Sequence, residues 1–465
     1  MDRLQRFAEE FVGSTRDYVF IRPEDRLLIL RPNRTQHLNA TACEMLAMLY
    51  GQETVDVRAV VADVAGKYGV DPERVGQDLD DLLNTLSGML REDFSNTPSL
   101  KQTPFGSHEM RLPVLSEIAL TYRCQHRCPF CYADAQRRGN VEGEMTTAQV
   151  QVCIDRIWDE ARVPTISFTG GEPTLRQDLP ELVAYAKGRG LRVNLITNGV
   201  RCAEAALVEA LAKAGLDSAQ VSIEAPTAEV HDAITGTPGS FEKAVAGIGL
   251  LRARKIHTHT NTTICLENRD CVLGMVDFAA DVLGHGYCSM NMVIRTGGAV
   301  GGDGEVLGYS AIEAVAMPIV ERARERGLRM VWYSPVPYCL FNPVLAGLGS
   351  NSCAAADGLL SVAPDGQVLP CSSFEQGIGN LVEEPFERIW NRRTARYWRN
   401  KEFMPPGCKD CDARKICCGA CPLYWDEQKG FAELPGARAS CSGVEGLVWK
   451  LKRRYLGKVK GVNVG

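Results

Sequence analysis

Residues 121–135 read TYRCQHRCPFCYADA, with Cys124, Cys128 and Cys131 spaced C-x3-C-x2-C. A structural zinc takes four ligands, and a cubane iron–sulfur cluster usually takes four thiolates. A protein set that stops at three leaves one position open, and open positions are where metal centres do chemistry. The alternative is a zinc knuckle completed by His126 or by a distant residue. The stretch follows the apolar run SEIALTY, so it reads as the loop after a strand.

Five further runs, TISFTG, RVNLIT, AQVSIEA, THTNTTI and SMNMVI, alternate with amphipathic segments between residues 113 and 333. Strand and helix in alternation imply parallel βα units. Six units predict an α/β fold, a partial (βα)6 TIM barrel whose active site lies on the loops after the strands. Upstream, DYVFIRP and RLLILRP alternate like a short antiparallel pair turning at PED. Three helices follow, LNATACEMLAMLYG, TVDVRAVVADVAGKYG and DPERVGQDLDDLLNTLSGML, the last opening on Asp71 and Pro72. Residues 1–95 are thus expected to form a winged-helix-like α+β domain. The stretch 96–112 is polar, contains Pro and Gly, and reads as a linker. Residues 334–445 hold most of the clustered cysteines. Residues 446–465 read as a basic tail with a solvated surface helix.

The 465-residue chain is 45% hydrophobic and 23% charged with a net charge of −5, the profile of a soluble globular protein. That charge argues against a nucleic-acid partner held through its phosphates. No run approaches a membrane span, and MDRLQRFAEEFVG lacks the pattern of a secretory signal. No membrane partner and a cytoplasmic location are expected. The chain has 18 cysteines. Disulfides are rare in that compartment, and metal ligation accounts for clustered cysteines. Cys43, Cys153, Cys202, Cys265, Cys271 and Cys288 lie singly in apolar segments and read as small core residues.

The C-x3-C-x2-C loop, with Phe130 before its last cysteine, resembles the radical S-adenosylmethionine (SAM) superfamily. The resemblance implies a 4Fe–4S cluster on Cys124, Cys128 and Cys131, with SAM on the open iron. One electron then cleaves the sulfonium, and a 5′-deoxyadenosyl radical takes a hydrogen atom from the substrate. TGGEP supplies Gly170, Gly171 and Glu172 for the methionine end of SAM, and ITNG supplies Asn198. VSIEA supplies Ser222 and Glu224 for the ribose, although relatives often carry Asp at the second position. Arg295, in NMVIRTG, is placed to reach the SAM carboxylate or to lie on the barrel rim.

Cys353 and Cys371 frame Gly366, and CKDCDARKICCGAC holds Cys408, Cys411, Cys417 and Cys421, with Cys441 beyond. This spacing resembles the cysteine-rich SPASM extension of radical SAM enzymes, the alternative being a zinc ribbon. The resemblance implies two auxiliary 4Fe–4S clusters, three in all. One is held by Cys339, Cys353, Cys371 and Cys421, the other by Cys408, Cys411, Cys417 and Cys441. An electron donor such as flavodoxin or ferredoxin is implied, and Cys418 has no slot. Residues 1–95 resemble the PqqD-type domain that binds the leader of a ribosomally made precursor peptide. The expectation is a peptide maturase that crosslinks, epimerises or oxidises its substrate. A tetrapyrrole or metal-cofactor maturase is one alternative. An anaerobic sulfatase-type maturase is another, opposed by Ser372, where that family carries an Asp that acts as general base. A non-catalytic iron–sulfur or zinc protein would leave TGGEP and VSIEA unexplained. No acid or base residue emerges from the sequence.

Overall fold

A computed structural model describes residues 1–90, 100–103, 110–140, 142–300, 306–350 and 352–436, with positions 444, 447 and 451. Cys441 and nearly all of the basic tail lie outside the described residues. The chain divides into two compact units, Met1–Phe105 and Gly106–Gly465. The barrel and the cysteine-rich segment, expected as separate domains, thus fall in one unit. Among the described residues no helix is long and apolar enough to cross a membrane.

The first unit opens with helix α1 (Asp2–Thr15), which the sequence reading did not include. Its buried residues Leu4, Ala8, Phe11, Val12 and Thr15 recur at helical spacing and form one stripe. Strands β1 (Val19–Arg22) and β2 (Leu27–Leu30) are the expected hairpin, and β3 (Arg34–Leu38) adds a third strand. The Arg22 guanidinium closes the hairpin by donating twice to Asp25, both at 2.8 Å. Helices α2 (Ala40–Gly51) and α3 (Val57–Tyr68) start on capping side chains. Asn39 accepts from the Ala42 N–H and Asp56 from the Ala59 N–H. Helix α4 (Pro72–Leu90) has proline at its first position and buries Val75, Leu79, Leu82, Leu83, Leu86 and Met89 along one face.

Inside the expected linker, residues Leu100–Thr103 form a further strand, β4, antiparallel to β3. The sheet order is β1-β2-β3-β4. Backbone pairing rather than an apolar pattern makes this strand, so a reading from hydrophobic period passes over it.

The second unit is built on one ten-stranded sheet. Strands β5 (Leu115–Thr121), β6 (Thr165–Gly170), β7 (Arg192–Thr197), β8 (Ser218–Ser222), β9 (His257–Ile264) and β10 (Tyr287–Met292) are the six expected. They pair in parallel in chain order, and β11 (Arg329–Trp332) continues the series. At the other side β12 (Leu359–Val362), from the cysteine-rich segment, pairs parallel to β5. The short antiparallel strands β13 (Gln367–Leu369) and β14 (Gly379–Asn380) follow.

Side chains alternate across each strand. Ile118, Leu120, Ile166, Phe168, Val193 and Leu195 belong to one core cluster with buried residues of the covering helices, such as Ile154 and Leu182. The opposite, inner face is polar. There Asn194 Nδ2 donates to Ser167 at 3.3 Å, and Asn261 Nδ2 donates to Asn291 at 2.8 Å. His259 meets Gln220 at 3.1 Å and Tyr287 at 2.8 Å. Closed barrels fill this space with Val, Ile and Leu. A polar lining instead suits a hydrated chamber that receives a polar ligand.

Candidate active site

The cysteine loop leaves the C-terminal end of β5, and other strands clamp it. Gly171 N–H donates to Thr121 O and Glu172 N–H to Arg123 O, both at 2.8 Å. Gly170 has φ +140°, and a Cβ there would stand 2.1 Å from Thr121 O. A Cβ on Gly171 would stand 2.4 Å from Arg123 O. The paired glycines of TGGEP are therefore required by the approach of the cysteine loop's own backbone. From the other side Gly298 N–H donates to Cys131 O at 2.9 Å. A Cβ on Gly297 would come within 2.4 Å of the same oxygen. The sequence reading stopped at Arg295 and gave these two glycines no role.

Cys124, Cys128 and Cys131 are all half-buried. Burial pushes the Cys124 thiol up to about 12, and Cys131 adds in the same direction. Cys128 is pushed up by burial first, then by Glu224 and by the other two thiols. Burial thus opposes ionisation of Cys124 and Cys128, and a bound cation is what makes such groups thiolates. Two donors already aim at Cys124 Sγ: His126 N–H at 3.4 Å and Asn198 Nδ2 at 3.7 Å. Among the described residues no three Cys, His, Asp or Glu side chains converge as a single-ion site requires. A cubane has no such requirement, because each thiolate binds a different iron. His126 packs its ring against that of His231, centroids 6.4 Å apart, and burial lowers its pKa to about 4.

The supporting residues have assignable tasks. Glu172 is fully buried. Its Oε1 accepts from Thr174 N–H at 3.0 Å and from Thr197 Oγ1 at 2.8 Å, and its Oε2 accepts from Asn198 N–H at 2.7 Å. This carboxylate locks the turn that carries Asn198, whose amide then reaches Cys124. Ser222 ends β8. Glu224 is buried and accepts from Thr263 N–H at 2.8 Å. Burial raises its pKa to about 7, opposed by that bond. Phe130 packs against Ile234, Cys265 and Val293. Arg295 pairs with Glu427 at 3.4 Å, tying the loop after β10 to helix Pro422–Glu427.

The C-terminal cysteines fall into two groups. Burial pushes the Cys421 thiol up, followed by Cys353 and Cys371. Cys371 is pushed up to about 12 by burial and then by Cys353, while Ser373 donates to it. The second group centres on Cys417, which accepts from Tyr338 N–H at 3.4 Å. Burial, then Cys339 and Cys411, push its thiol up. Cys411 N–H in turn donates to Cys408 O at 3.2 Å. Cys339 thus lies near enough to Cys417 to add to that rise. The tie is local: its neighbour Tyr338 is hydrogen-bonded to Cys417. Cys418, with φ +53°, is fully buried next to the Lys401 side. Lys401 and Asp357 form a sealed ion pair at 2.9 Å, with side chains 1% and 0% exposed. Lys401 Nζ also donates to Cys353 O.

A strand-end loop with three crowded thiols, clamped by glycines over a polar chamber, defines an iron–sulfur enzyme that leaves one iron for a second cofactor. Comparison with known proteins gives the same class. The radical SAM superfamily matches residues 118–279, an iron–sulfur cluster-binding SPASM domain matches residues 353–412, and coenzyme PQQ synthesis protein D (PqqD) matches residues 26–88. The chain belongs to the radical SAM enzymes with a SPASM extension and a PqqD domain, and binds SAM and 4Fe–4S iron. It is 31% identical over 317 residues to the PqqA peptide cyclase of Granulibacter bethesdensis, covering 65% of this chain and 80% of that protein. It is 28% identical over 315 residues to the AdoMet-dependent heme synthase of Nitratidesulfovibrio vulgaris, covering 64% and 85%. The crystal structure of Streptococcus suis SuiB bound to precursor peptide SuiA shares the fold, with TM-score 0.66 and 14% identity over 91% of this chain and 99% of that one.

Proposed function

We propose that this enzyme matures a ribosomally made precursor peptide, binding its leader through the first unit and modifying its core in the barrel chamber. The observation that carries the reading is the PqqD-type unit on the same chain as a barrel whose inner face is polar. A peptide cyclase relative at 31% identity supports it. When bound, the SAM cluster and SAM supply a 5′-deoxyadenosyl radical that removes a hydrogen atom from the substrate. Cys124, Cys128 and Cys131 would hold that cluster, with Asn198 steadying Cys124. Gly170, Gly171, Glu172, Ser222, Glu224 and Arg295 would shape the SAM side of the chamber, Glu172 acting through Asn198. Cys353, Cys371 and Cys421 would hold a second cluster. Cys408, Cys411 and Cys417, with Cys339 beside them, would hold a third, to which Cys441 is the further sequence candidate. An electron donor of the flavodoxin or ferredoxin class would reduce the SAM cluster in the cytoplasm. The new bond, whether crosslink, epimerised centre or oxidised side chain, is left open.

A tetrapyrrole substrate is the second reading, favoured by the heme synthase relatives at 28% identity. The deciding experiment uses anaerobically reconstituted enzyme. About twelve irons per chain are expected, falling to about eight when Cys124, Cys128 and Cys131 are changed to Ala. The variant should lose SAM cleavage and keep its affinity for a labelled precursor peptide. SAM cleavage stimulated by a tetrapyrrole and not by peptide would overturn the peptide reading.

A further inference from the structure

One polar layer of the chamber has no role in the account above. Gln220 on β8 pairs with His259 on β9, and Tyr287 precedes by one residue the pair that Cys288 makes with Thr260, so the three stand in a row across the sheet. Ala219, Val221, Cys288 and Met290 belong to the helix-side core. Alternation therefore puts Gln220 and Tyr287 on the inner face, with His259 between them. Gln220 and Tyr287 are half-buried, whereas His259 is 5% exposed. Gln220 comes two residues before Ser222, the end of β8 and the residue expected at the SAM ribose. The row thus lies about 7 Å deeper in the chamber, where a substrate beneath SAM would rest on it.

The hydrogen bonds along this row run in one direction. Gln220 Oε1 can only accept, so His259 Nε2, 3.1 Å away, carries the hydrogen. His259 Nδ1 then accepts, and the Tyr287 O–H donates to it at 2.8 Å. The Tyr287 ring is stacked on both His259 and His257, with centroids 4.6 Å and 5.6 Å away. Burial, then His257 and His285, lower the His259 pKa to about 3, and burial raises that of Tyr287, so both rings stay neutral. The two ends of the row keep opposite capacities. Tyr287 Oη has committed its hydrogen and retains lone pairs, which makes it an acceptor. Gln220 Nε2 has two N–H donors that no other described residue takes.

We propose that Gln220 and Tyr287 hold the backbone of the residue that is modified, the Gln220 amide donating to its carbonyl oxygen and the Tyr287 oxygen accepting from its N–H. His259 is the positioning residue that fixes the polarity of both. The inference rests on the peptide reading and adds to it the substrate group that is gripped. A secondary amide offers the donor and the acceptor together. A substrate held by its carboxylates would use Gln220 and leave Tyr287 idle.

The test uses reconstituted enzyme with the precursor peptide, and with the same peptide carrying an ester in place of the amide N–H at the modified residue. Tyr287→Phe removes the acceptor. Gln220→Glu still accepts from His259 but has no N–H to donate. Iron content, cluster EPR signals and leader-peptide affinity should match wild type in both. Each variant should lose about 10-fold in kcat/KM, and the ratio of 5′-deoxyadenosine to product should rise as the substrate slips out of register. The ester should cost wild type about 10-fold and Tyr287→Phe little more, because that contact is already gone. An ester penalty undiminished in Tyr287→Phe would overturn the proposal, and so would wild-type coupling in both variants. Where a variant loses iron, the ester peptide on wild-type enzyme decides, and full-rate turnover overturns the proposal. Wild type that modifies a tetrapyrrole and no peptide would refute the peptide reading, whereas peptide turnover indifferent to both variants would refute this inference alone.

Discussion

The two cysteine regions of the second unit solve different problems. Cys124, Cys128 and Cys131 come from one eight-residue stretch, remain half-buried, and are clamped by backbone contacts from two other strand ends. The described C-terminal thiols are gathered from positions 339 to 421: Cys353, Cys408 and Cys418 are buried, Cys371, Cys411, Cys417 and Cys421 are half-buried, and Cys339 is exposed. Around them lies an aromatic core in which Phe374, Trp398 and Phe403 pack ring to ring. The first region is one short loop held by a rim of backbone contacts, and the second is assembled from distant segments beside a sealed ion pair and an aromatic core. A centre that must admit a cofactor needs a rigid rim, whereas one that only exchanges electrons can be buried.

The comparison can be broken most severely at the rim. Gly171→Ala forces a Cβ to 2.4 Å from Arg123 O and 2.5 Å from Tyr122 O. Backbone cannot yield there cheaply, so we expect SAM cleavage to fall by at least about 100-fold, with overpacking costing about 1–3 kcal/mol. Single-turnover cleavage and a thermal melt check both parts, and wild-type cleavage would show that the rim is not rigid. A loss of stability rather than of activity tests enclosure. Lys401→Met leaves Asp357 charged and sealed, which costs about 3–5 kcal/mol in a buried pair. Urea unfolding should show it, and adding Asp357→Leu should recover most of the loss. An unchanged midpoint in the single variant would deny that this region is closed. The mildest change sharpens the partition of thiols. Cys339→Ala should alter only the EPR signal of the cluster on Cys408, Cys411 and Cys417, leaving that on Cys353, Cys371 and Cys421 as in wild type. The reverse result would restore Cys339 to the first group.

Much of this was legible because two signals are local. Strand runs such as TISFTG and RVNLIT declare themselves by their apolar residues, and loop cysteines by their spacing. What escaped was set by partners distant in sequence. Helix α1 has five charged residues among its fourteen, and its stripe has meaning only against a core. Strand β4 exists because β3 offers hydrogen bonds. Glu172, expected as a cofactor contact, also accepts from residues 174, 197 and 198, which no spacing encodes. The Tyr338 N–H meets Cys417 through a fold-back 79 residues long that no spacing encodes.

Strand β4 also sets the terms on which any peptide can join the first sheet. A strand has two hydrogen-bonding edges, and both edges of β3 are taken, one by β2 and one by residues 100–103. A leader that pairs with β3 must first evict a piece of the enzyme's own chain. One that settles beyond β1 or β4 need not. Cutting the protein at residue 95 would strip that strand away and bare an adhesive edge, so a truncated first unit would bind, and aggregate, differently from the intact enzyme.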